Sequence, residues 1–137
     1  MESKNIFADA QDNYFLIEPG EYMCKVNYFV SYIQDEYDVI EFYVRYIDKE
    51  IEKNISVKYI FSKRSKGKSM SELLEVLCSV HTELCTNGIL TSKLFDDKKL
   101  LLDYCNSLID KWLILNVEYK PKYNGSVYKS IRLKPNY

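Results

Sequence analysis

The sequence predicts a mainly β protein of the α+β class: a five-stranded antiparallel Greek-key barrel with a helical insertion between its third and fourth strands. Three observations carry that expectation. Apolar and polar residues alternate through three successive runs between Tyr22 and Phe61, the period of a half-buried strand. The spacing then lengthens to about 3.6 residues, the period of an amphipathic helix, and from Trp112 it returns to two. At 137 residues the chain has room for one core. Residues 19–137 are therefore expected to form a single domain. Residues 1–18 hold no clear period and are expected to form an N-terminal arm docked through Tyr14, Phe15, Leu16 and Ile17.

Pro19-Gly20 marks the turn into the first strand, because proline presets one central turn position and glycine accepts the positive φ of the next. In the strand that follows, Tyr22, Cys24, Val26, Tyr28, Val30 and Tyr32 share one face, expected to be the core face, and Lys25, Asn27, Phe29 and Ser31 share the other. A polar connection from Gln34 to Asp38 leads to a second strand, with Ile40, Phe42, Val44 and Tyr46 inward and Glu41, Tyr43 and Arg45 outward. The third strand sets Ile55, Val57, Tyr59 and Phe61 inward, and Ser56 and Lys58 outward. Three such strands in succession make an antiparallel meander whose outer face can be solvated.

Met70, Leu73, Leu74, Leu77, Val80, His81 and Leu84 then form one helical stripe. Ser69 with Glu72 has the form of a capping box, and Asn87-Gly88 supplies a stop. A second helix starts from Asp96 or Asp97 and continues through about Ser107, with Leu100, Leu101, Tyr104, Cys105 and Leu108 at helical spacing. Leu113, Leu115, Val117 and Tyr119 alternate along the fourth strand, and the last strand runs from Val127 to Leu133. A two-residue Asn124-Gly125 loop would put the apolar sets of these two strands on opposite faces, since one residue of slip inverts every side chain. A three-residue loop or a bulge is therefore expected, with Val117 opposite Ile131 or Leu133. Five strands with helix between the third and fourth are the element order of an OB-fold.

Composition narrows the function. The first residues lack the basic and apolar regions of a signal peptide, and no window reaches the ~18 apolar residues of a membrane span, so the expectation is a cytosolic protein without membrane contact. Cys24, Cys78, Cys85 and Cys105 form no CxxC pair and read as small buried hydrophobes. Cys78, His81 and Cys85 share a helical stripe, but the two thiols lie two turns, roughly 10 Å, apart. That is too far for one tetrahedral zinc, so neither a metal nor a cofactor is expected. The lone histidine sits on an apolar stripe, and four glycines leave no phosphate-cradling motif. Asp96-Asp97 and Asp35-Glu36 read as capping and solvated loop acids, so an enzyme is not expected.

Charge is segregated along the chain. Residues 1–62 carry six Lys or Arg against twelve Asp or Glu, residues 63–110 seven of each, and residues 111–137 six against one. Lys63, Arg64, Lys66 and Lys68 crowd together before the first predicted helix of the insertion, around Gly67. Lys122, Tyr123 and Arg132 belong to the basic closing hairpin, with Lys120, Lys129 and Lys134 beside them. Lys25, Phe29, Tyr43, Arg45 and Lys58 are the expected outward cations and rings of the meander. Such a mixture suits unpaired nucleic acid, because cations follow phosphates and bases stack on aromatic planes.

PGEY before the first strand, YIF at Tyr59–Phe61, and the closing LIDKWLILNVEYKPKYNGSVYKSIRLKP together resemble a family of small phage proteins, formerly a domain of unknown function, that are similar to single-stranded DNA-binding proteins. The resemblance implies an OB-fold that binds single-stranded DNA non-specifically during phage replication or recombination. QDEYD lacks the glycine this family often carries between its first strands, and the link before the fourth strand contains a second helix. A second reading is a phage protein that binds and inhibits a host or phage protein. Its acids Asp35, Glu36, Asp38, Glu41, Asp48, Glu50 and Glu52 would then mimic nucleic acid. Exposed aromatics also suit a homo-oligomer. The nucleic-acid reading requires the fold to gather Arg45, Lys66 and Tyr123 along one strip.

Overall fold

Alternating apolar residues do form strands, and they are longer than the apolar runs themselves. In the computed structural model, which describes residues 6–61, 66–86, 88, 93, 94 and 96–136, and the backbone alone at 6–8, 66 and 85, β1 spans Gly20–Gln34, β2 Tyr37–Asp48 and β3 Ile51–Phe61. β4 covers Trp112–Pro121 and β5 Val127–Lys134. Helices α1 (Ile6–Leu16), α2 (Lys66–Val80), α3 (Glu83–Thr86) and α4 (Lys98–Asn106) lie among the described residues. The five strands make one antiparallel sheet in the order β3-β2-β1-β4-β5. Its inner face buries Cys24, Val26, Phe42, Val44, Ile55 and Leu115 against Leu73 and Leu77 of α2 and Leu101 and Cys105 of α4. Burial pushes the thiols of Cys24 and Cys105 up to about 12, as befits apolar packing groups rather than nucleophiles.

The expected closed barrel is not formed. β3 and β5 are the two edges of an open sheet. They approach at their C-terminal ends, where the Leu133 N–H donates to the buried Tyr59 hydroxyl at 3.2 Å. At their other ends they are separated by α1, the segment expected to be an arm. Asn13 donates to the Asn54 carbonyl on β3 at 2.6 Å, and Lys129 of β5 donates to the carbonyls of Tyr14 and Phe15 at 3.0 and 3.1 Å. Ala10 and Ile17 are buried there, whereas Tyr14, Phe15 and Leu16 are exposed. The helix covers strand edges whose backbone groups would otherwise invite foreign pairing.

A second correction concerns β1. The ladder with β2 slips between Val26 and Tyr28, leaving Asn27 as a bulge. The Val26 carbonyl at this point accepts the Asp110 N–H at 2.8 Å. Beyond the bulge every side chain changes face. Phe29 therefore packs inward against Phe42, with ring centroids 5.7 Å apart, while Tyr28 turns outward and stacks on Tyr43 at 4.8 Å.

The helical insertion follows its sequence signals in part. Asp97 caps α4, its carboxylate accepting the Leu100 N–H at 3.2 Å. Ser69 does not cap α2, which begins at Lys66. Its hydroxyl instead donates to the Ile60 carbonyl at 2.7 Å, while Glu72 lies 3.9 Å from Arg132, so the start of α2 is tied to both β3 and β5. The helix ends at Val80, before the expected Asn87-Gly88 stop, whose Asn87 lies outside the described residues. The closing hairpin has the expected register, with Val117 opposite Ile131. Its loop is the expected three-residue one: the Lys122 N–H donates to the Ser126 carbonyl at 2.7 Å around Tyr123, Asn124 and Gly125, with Gly125 at φ 87°.

Candidate nucleic-acid interface

Twist and bulge divide the predicted site residues into three groups. Lys25 and Arg45 face each other across β1 and β2, and Lys25 lies 5.2 Å from the centroid of the Trp112 ring. Arg45 is held against the sheet: its Nη1 is 3.9 Å from Glu52 and its Nε is buried without a partner. Trp112 was missed in the sequence because it opens β4, where the alternation of β4 has only begun.

The second group lies on the closing hairpin. Tyr123 at the tip is fully exposed, and Tyr119, Val127 and Tyr128 are exposed below it, among Lys120, Lys122 and Lys129. Tyr14 near the end of α1, itself exposed, adds a ring whose centroid lies 6.0 Å from the Lys129 amine. Glu118, the one acid of this segment, is held below the usual carboxylate range by the Asn116 amide and the surrounding cations. Tyr128 was not singled out in the sequence, although its alternation with Ser130 and Arg132 marks it as outward once the register is known. The strand rise of ~3.3 Å per residue sets the end of β4 at Pro121 roughly 30 Å from the Lys25–Trp112 pairing, with Tyr123 beyond it. Arg45 and Tyr123 therefore do not share a strip.

The third group surrounds a cleft of about 850 Å³ bounded by α1, α2, β3 and β5. Lys58 and Lys68 line it and are exposed, and Lys129 and Tyr128 line it from β5. Among its polar lining residues, Glu41 and Tyr43 are only 7% and 8% exposed. Glu41 accepts the Tyr32 hydroxyl at 2.9 Å and is hydrogen-bonded by Tyr43. Burial, reinforced by this carboxylate, pushes the Tyr32 and Tyr43 phenols up to about 12 and raises that of Tyr28. The outer face of the meander thus carries a carboxylate ringed by phenols beside the outward cations Lys25, Arg45 and Lys58.

Of the remaining candidates, Phe29 belongs to the core and Arg132 is engaged with Glu72. Lys63 and Arg64 lie outside the described residues, and Lys66, of which only the backbone is described, opens α2. His81 falls just beyond α2 and half-buried, with Nε2 against the Ser107 hydroxyl, Nδ1 3.4 Å from Glu83, and its ring edge-on to Tyr104. These contacts make it a link between α2 and α4. No helix among the described residues is long and apolar enough to cross a membrane. Neither a protein-family model, a curated protein nor a solved structure matches this chain.

Proposed function

We propose that this protein binds single-stranded DNA with the β4–β5 hairpin as its principal contact, in place of the strip through Arg45, Lys66 and Tyr123 expected from the sequence. The observation that carries this reading is the hairpin itself, where Tyr119 and Tyr128 stand beside lysines on the two faces of the paired strands and Tyr123 is fully exposed in the loop. Exposed rings offer stacking worth ~1–3 kcal/mol per base, and lysines supply the salt-dependent, sequence-independent attraction to phosphate. The strand order supports an OB-like architecture, being that of a five-stranded Greek-key barrel opened between β3 and β5. A place in phage replication or recombination goes with the same reading. A labelled oligo-dT is expected to bind with an affinity that falls steeply as salt rises. Tyr123→Ala with Lys122→Ala should weaken binding by at least tenfold, since each removed stack or phosphate contact costs about 1 kcal/mol or more. Absence of any binding at low salt would overturn the proposal.

A second reading rests on a different surface. The β1–β2 turn presents exposed Ile33 and Tyr37 beside Asp35, Glu36 and Asp38, a combination suited to a basic protein partner. Mimicry of a nucleic-acid strand is less well served, because Asp48, Glu50 and Glu52 lie at the opposite end of β2. For this reading, nuclease-treated lysate from infected cells should yield a stoichiometric protein that Glu36→Lys fails to retain.

A further inference from the structure

We infer that the cleft between α1, α2, β3 and β5 is a guanine-selective subsite, in which Glu41 reads the Watson–Crick edge of the base and Lys58 and Lys68 meet phosphate at the rim. The inference begins with Glu41, which sits on the outward face of β2 yet is only 7% exposed. Lys58 stands opposite it in the β2–β3 register, but no lysine or arginine among the described residues forms an ion pair with its carboxylate; its donors are the hydroxyls of Tyr32 and Tyr43. A carboxylate offers about four acceptor positions, so two hydroxyl donors leave capacity for more. Glu41 lines the cleft, and a ligand there can add donors to those of the two tyrosines.

The chemistry of the ligand follows from the shape of that demand. A carboxylate accepts only, and it accepts best from two adjacent donors. Among the bases, guanine alone presents two neighbouring donors on its Watson–Crick edge, N1–H and the N2 amine. Adenine and cytosine set an acceptor beside their amine, and thymine flanks its single N–H with two carbonyls. A simple amine would also satisfy Glu41, but Lys58 and Lys68 at the rim repel a polycation and favour a ligand that carries negative charge outside its donors. A guanine nucleotide has that arrangement, and the cleft volume lies within the ~300–1,000 Å³ of small-molecule sites. The half-open ring of Tyr128, on the β5 wall, is available for stacking. Because β5 carries both the hairpin platform and this wall, a strand lying on the hairpin would deliver a base to the cleft. To that extent the inference rests on the proposed function, whereas binding of a free nucleotide does not.

The test compares oligo-dT with the same oligomer carrying a single deoxyguanosine or deoxyinosine, and free GMP with IMP and AMP, by titration of the full chain. Discrimination by a bidentate pair is expected to favour the guanine oligomer by about five- to hundredfold. Inosine, lacking the N2 amine, should lose most of that gain without any change to the protein. Glu41→Gln places an amide donor against a guanine donor and should abolish the preference while leaving oligo-dT affinity unchanged. Oligo-dT binding without guanine preference, or a preference that survives both inosine and E41Q, would overturn the inference and leave the hairpin proposal standing. Binding of GMP over IMP and AMP with no oligomer bound would uphold the subsite and sink the hairpin proposal.

Discussion

Asn27 decides which rings the meander shows to solvent. Nothing in the alternation of Tyr22 to Tyr32 marks it as a bulge, because Tyr28 and Phe29 suit either face equally. The decision depends on the Val26 carbonyl being taken by Asp110, a residue far along the chain. The consequence is measurable at Phe29. Its truncation to alanine should destabilise the protein by about 2 kcal/mol in urea titration, somewhat below the cost for a fully buried phenylalanine. A change within ~0.5 kcal/mol, the usual effect of a surface substitution, would return Phe29 to the outer face. Glu41 shows the same limit of sequence reasoning, since its polarity signals exposure while its neighbours bury it.

At the scale of elements, the strands, the 3.6-residue stripe of α2 and the Asp97 cap were legible because each rests on contacts among residues close in sequence. The three-residue loop of the last hairpin was legible for the same reason, as register follows from the apolar pattern on either side. The first two hairpins hid their turns. Asp35-Glu36 and Lys49-Glu50 close two-residue loops with φ of 51° and 70°, and 52° and 69°, the left-handed pairs of a type I′ turn, in which glycine is preferred. A non-glycine residue held there costs roughly 1 kcal/mol. Glu50→Gly should therefore raise stability by about 0.5–1 kcal/mol, seen as a higher urea midpoint, provided the turn has this geometry. A lower midpoint would show that the connection is looser. Ser69 and Glu72 carried a capping signal, but tertiary partners on β3 and β5 claimed both side chains.

Over the whole molecule, the barrel stops short of closure because α1 lies between the diverging ends of β3 and β5, and the phenol of Tyr59 bridges their converging ends. Buried phenols also set how the fold responds to alkali. Burial is the leading cause pushing Tyr32, Tyr43 and Tyr46 up to about 12 from an unfolded value of 10.0. A raised acid means the folded state keeps protons that the unfolded chain releases between those values, so stability is intact below pH ~10 and falls as pH rises beyond it. Tyrosinate absorbance for these residues should appear together with loss of circular dichroism in one alkaline transition. Gradual ionisation ahead of unfolding would show the phenols to be solvated.

Residue order alone was enough to read the five strands, the placement of helix between the third and fourth, the pairing of the last two, and a basic, ring-bearing closing hairpin. Each of these follows from periodicity or charge that local neighbours already express. Packing between distant segments was needed to show that the sheet stays open around α1, that Phe29 turns inward, and that Glu41 sits among phenols beside a cleft lined by lysines. Those outcomes depend on contacts between segments distant in the chain, where one carbonyl taken or one edge covered redirects every side chain that follows.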